Sequence, residues 1–271
     1  MNEVKRELTV LTDGVSFNPR VRLFLSGEAS IGLYPSLFTL KAWNLSDQDY
    51  DHLRDTKELK VLNGNSCLAY GKICDLYQET VAKGTLTTVA FAHGLDLWET
   101  WVSLDVPAGS TMGETVCRIL EEADIWPGSF TLSGPDPVFS RGQAFFGRAA
   151  QCIETVLTIA GARAYLAENG LCVAPADPIP PTLHLKRKDY ADVPSFADRK
   201  RKLVLPTHMI GFRPGEEISV ELVKGFSLPG LILKRHVEAD TGKGPWMSEL
   251  LMEIHYPLMR TPEGEELTND E

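Results

Sequence analysis

No run of about 18 consecutive apolar residues occurs in the 271 residues, so the sequence predicts no membrane-spanning helix. Positive charge is also scarce. Against 37 Asp and Glu stand 27 Lys and Arg, leaving a net charge of −10, which argues against a nucleic-acid partner, because such binding needs basic surface to displace counterions. The five cysteines (Cys67, Cys74, Cys117, Cys152, Cys172) are odd in number and include no CxxC pair or Cys/His cluster. A disulfide framework or zinc site needs closer, paired spacing, so the expectation is buried free thiols acting as small apolar side chains. Residues 1–11 hold Glu3, Lys5, Arg6 and Glu7 and lack the apolar core of a signal peptide. Synthesis and folding in the cytoplasm are expected.

Catalytic signatures are missing as well. Residues 64–72 resemble a phosphate loop, but six residues separate Gly64 from Gly71 and Lys72 where the loop needs four. Ile73 also stands where a magnesium-holding Ser or Thr belongs. No G-x-S-x-G elbow and no H-E-x-x-H occur. The histidines (His52, His93, His184, His208, His236, His255) are scattered singly, as surface or cap residues would be. Paired carboxylates of the glycosidase kind are easy to propose among 37 acidic residues and so carry no information. Glu79 and Glu238 read as strand-end residues shaping turns. No catalytic, cofactor-binding or metal-ligating residue is assigned.

What the chain does contain is an internal echo. Residues 71–91 and 230–254 spell nearly the same hairpin, each a strand-length run, a Gly-rich turn and a second run. With one residue inserted in the second turn, Gly71 falls on Gly230, Ile73 on Ile232, Glu79 on Glu238, Gly84 on Gly244 and Leu86 on Trp246. A lone hairpin cannot bury its own apolar face, so each copy needs further strands. The reading is a small β-module used twice, a pattern that points to assembly rather than chemistry.

Between the copies the periodicity changes. Strands are expected from residue 19 to 43, then a short helix capped by Ser46 with Tyr50 and Leu53 inward. Residues 59–62 and 67–70 add strands around an Asn63-Gly64-Asn65 turn. After residues 107–109, Ser110 or Thr111 caps a helix with Val116, Ile119, Leu120 and Ala123 on one stripe. Residues 143–160 predict a longer helix, with Phe145 and Phe146 as core candidates and Gly161 as its C-cap. Residues 163–167 and 171–174 form a hairpin around Asn169-Gly170, a type I′ signature. Residues 183–185 add a strand, and Ile218, Val220 and Leu222 predict a one-sided strand leading into the second hairpin. Residues 186–202 hold the one basic cluster, read as a solvated linker, with contact to an acidic partner as the sharper alternative. The tail from Thr261 carries five acidic and no basic residues, and disorder is expected there. Trp98, Trp101 and Trp126 are candidate ligand-platform aromatics, for which packing between domains is the favoured explanation.

The order of elements resembles the baseplate hub, or tail hub, proteins of tailed bacteriophages, including the late control protein D type and the Mu-like hub. The residues that carry the likeness begin with Pro35-Ser-Leu-Phe-Thr-Leu-Lys-Ala-Trp-Asn-Leu-Ser46, Gly71-Lys-Ile-Cys-Asp-Leu-Tyr77, and Pro107-Ala-Gly-Ser-Thr111 with its helix. They continue with Phe139-Ser-Arg-Gly-Gln-Ala-Phe-Phe-Gly-Arg-Ala-Ala150, residues 162–173 and the closing Trp246-Met-Ser-Glu-Leu-Leu-Met-Glu-Ile254. The resemblance spans about residues 20–256. It implies two similar barrels per chain flanking a smaller mixed domain, and three chains in a ring. Six barrels would then seat a threefold hub on a sixfold tail tube.

The expected fold class is α+β, mainly β: two similar small β-barrel modules flanking a mixed α/β middle domain. The expected organisation is 1–104 (first module), 105–200 (middle domain with basic linker), 201–258 (second module) and 259–271 (acidic tail). On this reading the chain catalyses nothing and uses no cofactor or metal. It is a homotrimeric virion component of the tail baseplate, made in the host bacterial cytoplasm, whose partners are tail tube, distal tail or spike proteins. Many proteins of that kind are longer, so spike and cell-wall functions are not carried over. The alternatives are a tail-associated peptidoglycan hydrolase, or a carbohydrate- or peptide-binding module using exposed aromatics such as Trp98.

Overall fold

The computed structural model describes residues 6–17, 20–125, 130–167, 170–175, 180–181, 183–197 and 201–255. It begins with strands β1 (Thr9–Thr12), β2 (Val15–Phe17), β3 (Leu23–Ser30) and β4 (Ser36–Trp43). Helix α1 (Asp47–Asp55) and strands β5 (Glu58–Asn63), β6 (Ser66–Val81) and β7 (Gly84–His93) follow. Ser46 caps α1 as expected, its hydroxyl accepting from the Asp49 N–H at 3.1 Å. Leu53 is its buried residue, and Tyr50 is half-buried.

The central stretch holds α2 (Leu95–Glu99), β8 (Trp101–Val106), α3 (Met112–Glu122) and β9 (Phe130–Leu132). It continues with β10 (Gln143–Arg148), α4 (Ala149–Ala160), β11 (Ala162–Ala167) and β12 (Gly170–Pro175). Thr111 closes a capping box with Glu114 at the start of α3, and the predicted stripe of Val116, Ile119, Leu120 and Ala123 is buried. Gly161 ends α4 at φ 64°, a left-handed cap.

The helix expected over 143–160 is half strand. Residues 143–148 pair antiparallel with β8, and the helix begins only at Ala149. The reason is a period of two: Phe145 and Gly147 are buried while Ala144, Phe146 and Arg148 are exposed. Phe145 is therefore a core residue, but Phe146 is 81% exposed. The residue pair 168–169 of the expected Asn-Gly turn lies outside the described residues, although the hairpin that it joins is present.

The last stretch comprises β13 (Leu183–Leu185), β14 (Ser195–Ala197), β15 (Lys202–Thr207), β16 (Glu217–Val223), β17 (Phe226–Asp240) and β18 (Trp246–Ile254). Strand β16 is not one-sided. Glu217 and Ser219 are buried along with Ile218 and Val220, and Glu217 is paired there with Arg163 of β11.

One strand order occurs twice. The first set runs β3-β4-β7-β6-β5-β1 and the second β14-β15-β18-β17-β16-β13. The likeness extends to detail. Both long strands bend at a β-bulge at the same step, between Ile73 and Asp75 and between Ile232 and Lys234. The turns differ more than the sequence suggests. Val81 pairs with Gly84 across two loop residues, whereas Asp240 donates to the Pro245 carbonyl at 2.9 Å across four. Two residues are thus inserted rather than one, so Gly84 falls on Pro245 and Leu86 on Met247. A one-residue slip sends every side chain to the opposite face. With the corrected register, buried Thr87, Val89 and Phe91 fall on buried Ser248, Leu250 and Met252.

The two sets are not separated. Their strands form one 13-stranded sheet, and no closed barrel is found among the described residues. The junction is β17, long enough to pair with β16 over its first half and with β3 over its second. Three apolar cores result. One lies under the first strand set and takes in Val237 and Ala239 of β17. The second holds α3, α4 and the two small sheets. The third lies under the second set, around Leu203, Leu205, Ile232 and Leu250. Fully buried leucines such as Leu25 and Leu205 each contribute about 2–3 kcal/mol of burial free energy.

The five cysteines are free, but Cys74 is exposed and only Cys67 and Cys152 are buried. Cys74 is the residue that the β6 bulge leaves out of register, which turns it to solvent. The acidic tail, Trp126 and part of the basic cluster (Arg199, Lys200) lie outside the described residues.

Candidate functional site

A concavity lined by several polar side chains lies where β5, β6 and β7 meet the helical layer. A cleft of about 220 Å³ is floored by Gly71 and walled by Leu120 of α3 and Leu166 and Leu171 of the β11–β12 hairpin. Its polar groups are engaged with one another. The Tyr70 hydroxyl donates to Glu58 Oε2 at 2.9 Å, and Lys72 Nζ lies 2.6 Å from Asp96 Oδ2. Burial and the bond to Glu58 push the Tyr70 phenol up to about 12. The His93 ring stands edge-on to Tyr70 at 5.1 Å between centroids. Burial drives its imidazole down to about 4, against the opposing pull of Glu58 and Asp96.

At neutral pH the cleft presents a protonated phenol, a neutral imidazole and two carboxylates that already have partners. This arrangement ties β5 to β6 and β6 to α2. It does not aim a free acid at an open space.

His93 makes the fold sensitive to acid. Its folded value lies below the ordinary 6.5, so the unfolded chain binds the proton more readily between about pH 6.5 and 4. Stability conferred by the neutral ring is present above pH 6.5 and is lost as pH falls toward 4. With solvent screening of a partly buried group, the loss is on the order of 2 kcal/mol. Chemical denaturation at pH 7 and pH 4.5 measures it, and His93→Gln is expected to flatten the difference.

The sequence-derived candidates disperse. Trp98 is held in place, its Nε1 donating to the Leu33 carbonyl at 2.6 Å and its ring stacked on Tyr34 at 5.2 Å. That is the packing expected between the first strands and the helical layer. Trp101 is instead 61% exposed and meets Phe146 at 5.7 Å, so the solvent-facing aromatic pair is Trp101 and Phe146. Glu79 is exposed near the β6–β7 turn, and Glu238 faces His236 at 3.7 Å. Among the described residues, no group of three or more His, Cys, Asp or Glu is placed to hold a metal ion. Among the same residues no helix is long and apolar enough to cross a membrane.

Surfaces that sequence reading missed are strand edges. The second half of β6, from Asp75 to Val81, pairs with β7 on one side, and among the described residues no strand covers its other side. Asp75, Tyr77, Gln78, Glu79 and Thr80 are exposed there. At the far end of the sheet β14 pairs, among the described residues, only with β15. Beside β14, Val193 is 80% and Phe196 46% exposed, and with Val223 and Phe226 they line an open apolar groove of about 560 Å³. Apolar side chains gathered this way at a strand edge are the usual mark of an interaction surface.

No protein-family model matches the sequence, and no curated protein matches it. Solved structures do share the fold. A tail protein from Neisseria meningitidis superposes with a TM-score of 0.66 at 12% identity, over 91% of this chain and 95% of that one. A 43 kDa prophage tail protein from Shewanella oneidensis also gives 0.66, at 9% identity, over 91% and 96% of the two chains. An E. coli component of the type VI secretion system, described as structurally similar to bacteriophage T4 tail proteins, gives 0.64 at 11% identity over 91% and 77%. The chain thus has the mainly β fold of phage and type VI secretion tail proteins, a likeness of architecture at 9–12% identity.

Proposed function

We propose that this chain is a structural subunit of a phage or phage-like tail, the hub of its baseplate, and that it works without catalysing a reaction. Three copies form a ring that adapts the sixfold tail tube to a threefold spike or fibre. Each contributes two like modules, residues 1–104 and 201–258, around a middle domain at 105–200, with 259–271 as an acidic tail. The observation that carries the reading is the strand order repeated within one polypeptide. A chain with two like halves lets three copies present six similar faces, which is what a symmetry adapter requires. The shared fold with tail proteins supports the same reading. So does the mutual pairing of the polar groups in the junction cleft. The partners are tail tube, distal tail or spike proteins of the same particle, and the chain resides in the virion tail after synthesis in the host cytoplasm.

Native mass measurement, combined with imaging of assembled particles, tests this. The expected result is three copies per particle, placed between tube and spike. A strict monomer that never enters a tail overturns it, as does clearing in a cell-wall zymogram that depends on one carboxylate.

A further inference from the structure

The repeat makes the uncovered edge of β6 interpretable. Its counterpart in the second set is the second half of β17, and that edge is covered within the chain by β3. In the first set no strand among the described residues covers the same edge. The strand corresponding to β3 in the second set is β14, which among the described residues pairs only with β15. One chain therefore contains one completed junction and the two unmatched halves of a second.

The geometry points to an intermolecular junction, in which the open edge of β6 in one copy pairs antiparallel with β14 of a second copy, as β17 pairs with β3. This deepens the ring reading above and rests on it for the number of copies. The contact is head-to-tail, and such contacts close into rings or run on as open chains.

The existing registers specify the new one. Leu203 and Leu205 of β15 face Met252 and Leu250, as Phe38 and Leu40 of β4 face Phe91 and Val89. Phe196 opposite Leu203 thus corresponds to Gly27 opposite Phe38, and Ser195 to Ser26. In the completed junction Val237 faces Gly27 and Glu238 faces Ser26. Transferred to β6, Gln78 faces Phe196 of the second copy, Glu79 faces Ser195 and Tyr77 faces Ala197.

Side-chain sizes agree with this register. In the completed junction a buried Val237 lies opposite a glycine, and a Cβ on Gly27 would run into the backbone of Leu37 and Phe38. In the proposed one the large residue is on the other strand, Phe196. It would lie diagonally beside Leu76, which already packs on the first core. Edge pairing satisfies backbone groups of residues 77–79 and covers the middle of an aggregation-prone edge.

Cysteine pairing between differently substituted chains tests the register, in a Cys74→Ser background. Directly opposed residues of antiparallel strands have Cα atoms about 4.5–5.5 Å apart, within disulfide range. Gln78→Cys mixed with Phe196→Cys, and Glu79→Cys with Ser195→Cys, are expected to form mixed disulfide dimers at least about tenfold faster than the slipped pair Gln78→Cys with Ala197→Cys, because neighbouring side chains point to opposite faces. All five positions are on the surface or half-buried, so folding is retained. Native mass measured in parallel separates the two ideas. Trimers with no register-dependent disulfide overturn the junction and leave the ring standing. Register-dependent disulfides in open chains support the junction and overturn the three-copy ring. Monomers without cross-links overturn both.

Discussion

Replacing Arg235 by methionine lowers the urea midpoint of the main sheet by about 1 M, a loss of about 3–4 kcal/mol. Arg235 sits on β17 at 3% exposure, inside the seam between the two strand sets. Among the described residues no carboxylate is bonded to its guanidinium. Instead it donates to the Phe212 carbonyl at 2.8 Å, to the Leu68 carbonyl, and weakly to Ile210 at 3.5 Å. Leu68 belongs to β6 and the other two to the segment before β16, so one side chain on β17 gathers backbone from two other segments. Burial lowers its pKa to about 10, still far above neutrality, so it remains charged. Methionine fills much of the volume but leaves these carbonyls buried without donors, and each unmade bond of this kind costs about 1–3 kcal/mol. Arg235→Lys keeps the charge yet lacks the planar fork that reaches carbonyls in different directions. It is expected to lose at least half as much. Should lysine prove neutral, charge rather than geometry holds the seam.

Gly71→Ala is the second large effect, about 3 kcal/mol by the same measurement. A Cβ at this position would lie within the backbone of Ala92 and His93 on β7, which cannot rotate away. Its counterpart, Gly230, is tight in a milder way. There a Cβ meets the Glu253 carbonyl at 2.8 Å, but otherwise the flexible ends of Ile254 and Met252 at 3.0 and 3.1 Å. Gly230→Ala is expected to cost about 1–2 kcal/mol. Equal costs at the two glycines would mean that the β6–β7 pair shifts as readily as the β17–β18 pair. Neither glycine has a positive φ, so the comparison isolates close strand approach from backbone conformation.

Much of this architecture was legible in the residues. Ser46 and Thr111 announced their helices because a side-chain oxygen before an apolar stripe satisfies free N–H groups locally. The paired glycines at 71 and 230 marked the repeated hairpin because close strand approach tolerates nothing larger. Where the reading failed, competing periods or long-range pairing decided. Residues 143–160 contain apolar side chains that suit a helix throughout, and only the availability of β8 draws the first six into a strand. The insertion between the two turns was misjudged by one residue, because Gly84 opens β7 instead of closing the first turn, which only its pairing with Val81 decides.

The catalytic candidates show the same division. That Gly64 to Ile73 is no phosphate loop follows from spacing alone. That Glu58, Tyr70, Lys72, His93 and Asp96 share one cleft does not, because four separate elements bring them together.

By itself, the order of residues determined many of the local elements: most strands of the two hairpins, the caps of α1 and α3, and that one hairpin occurs twice. These are set within a few residues by backbone preference and by the alternation of apolar and polar side chains. The tertiary structure alone decided which edges meet. It joined β17 to β3, buried Arg235 in the seam and left β6 and β14 open, because edge pairing uses backbone groups that every residue carries and no local pattern can encode.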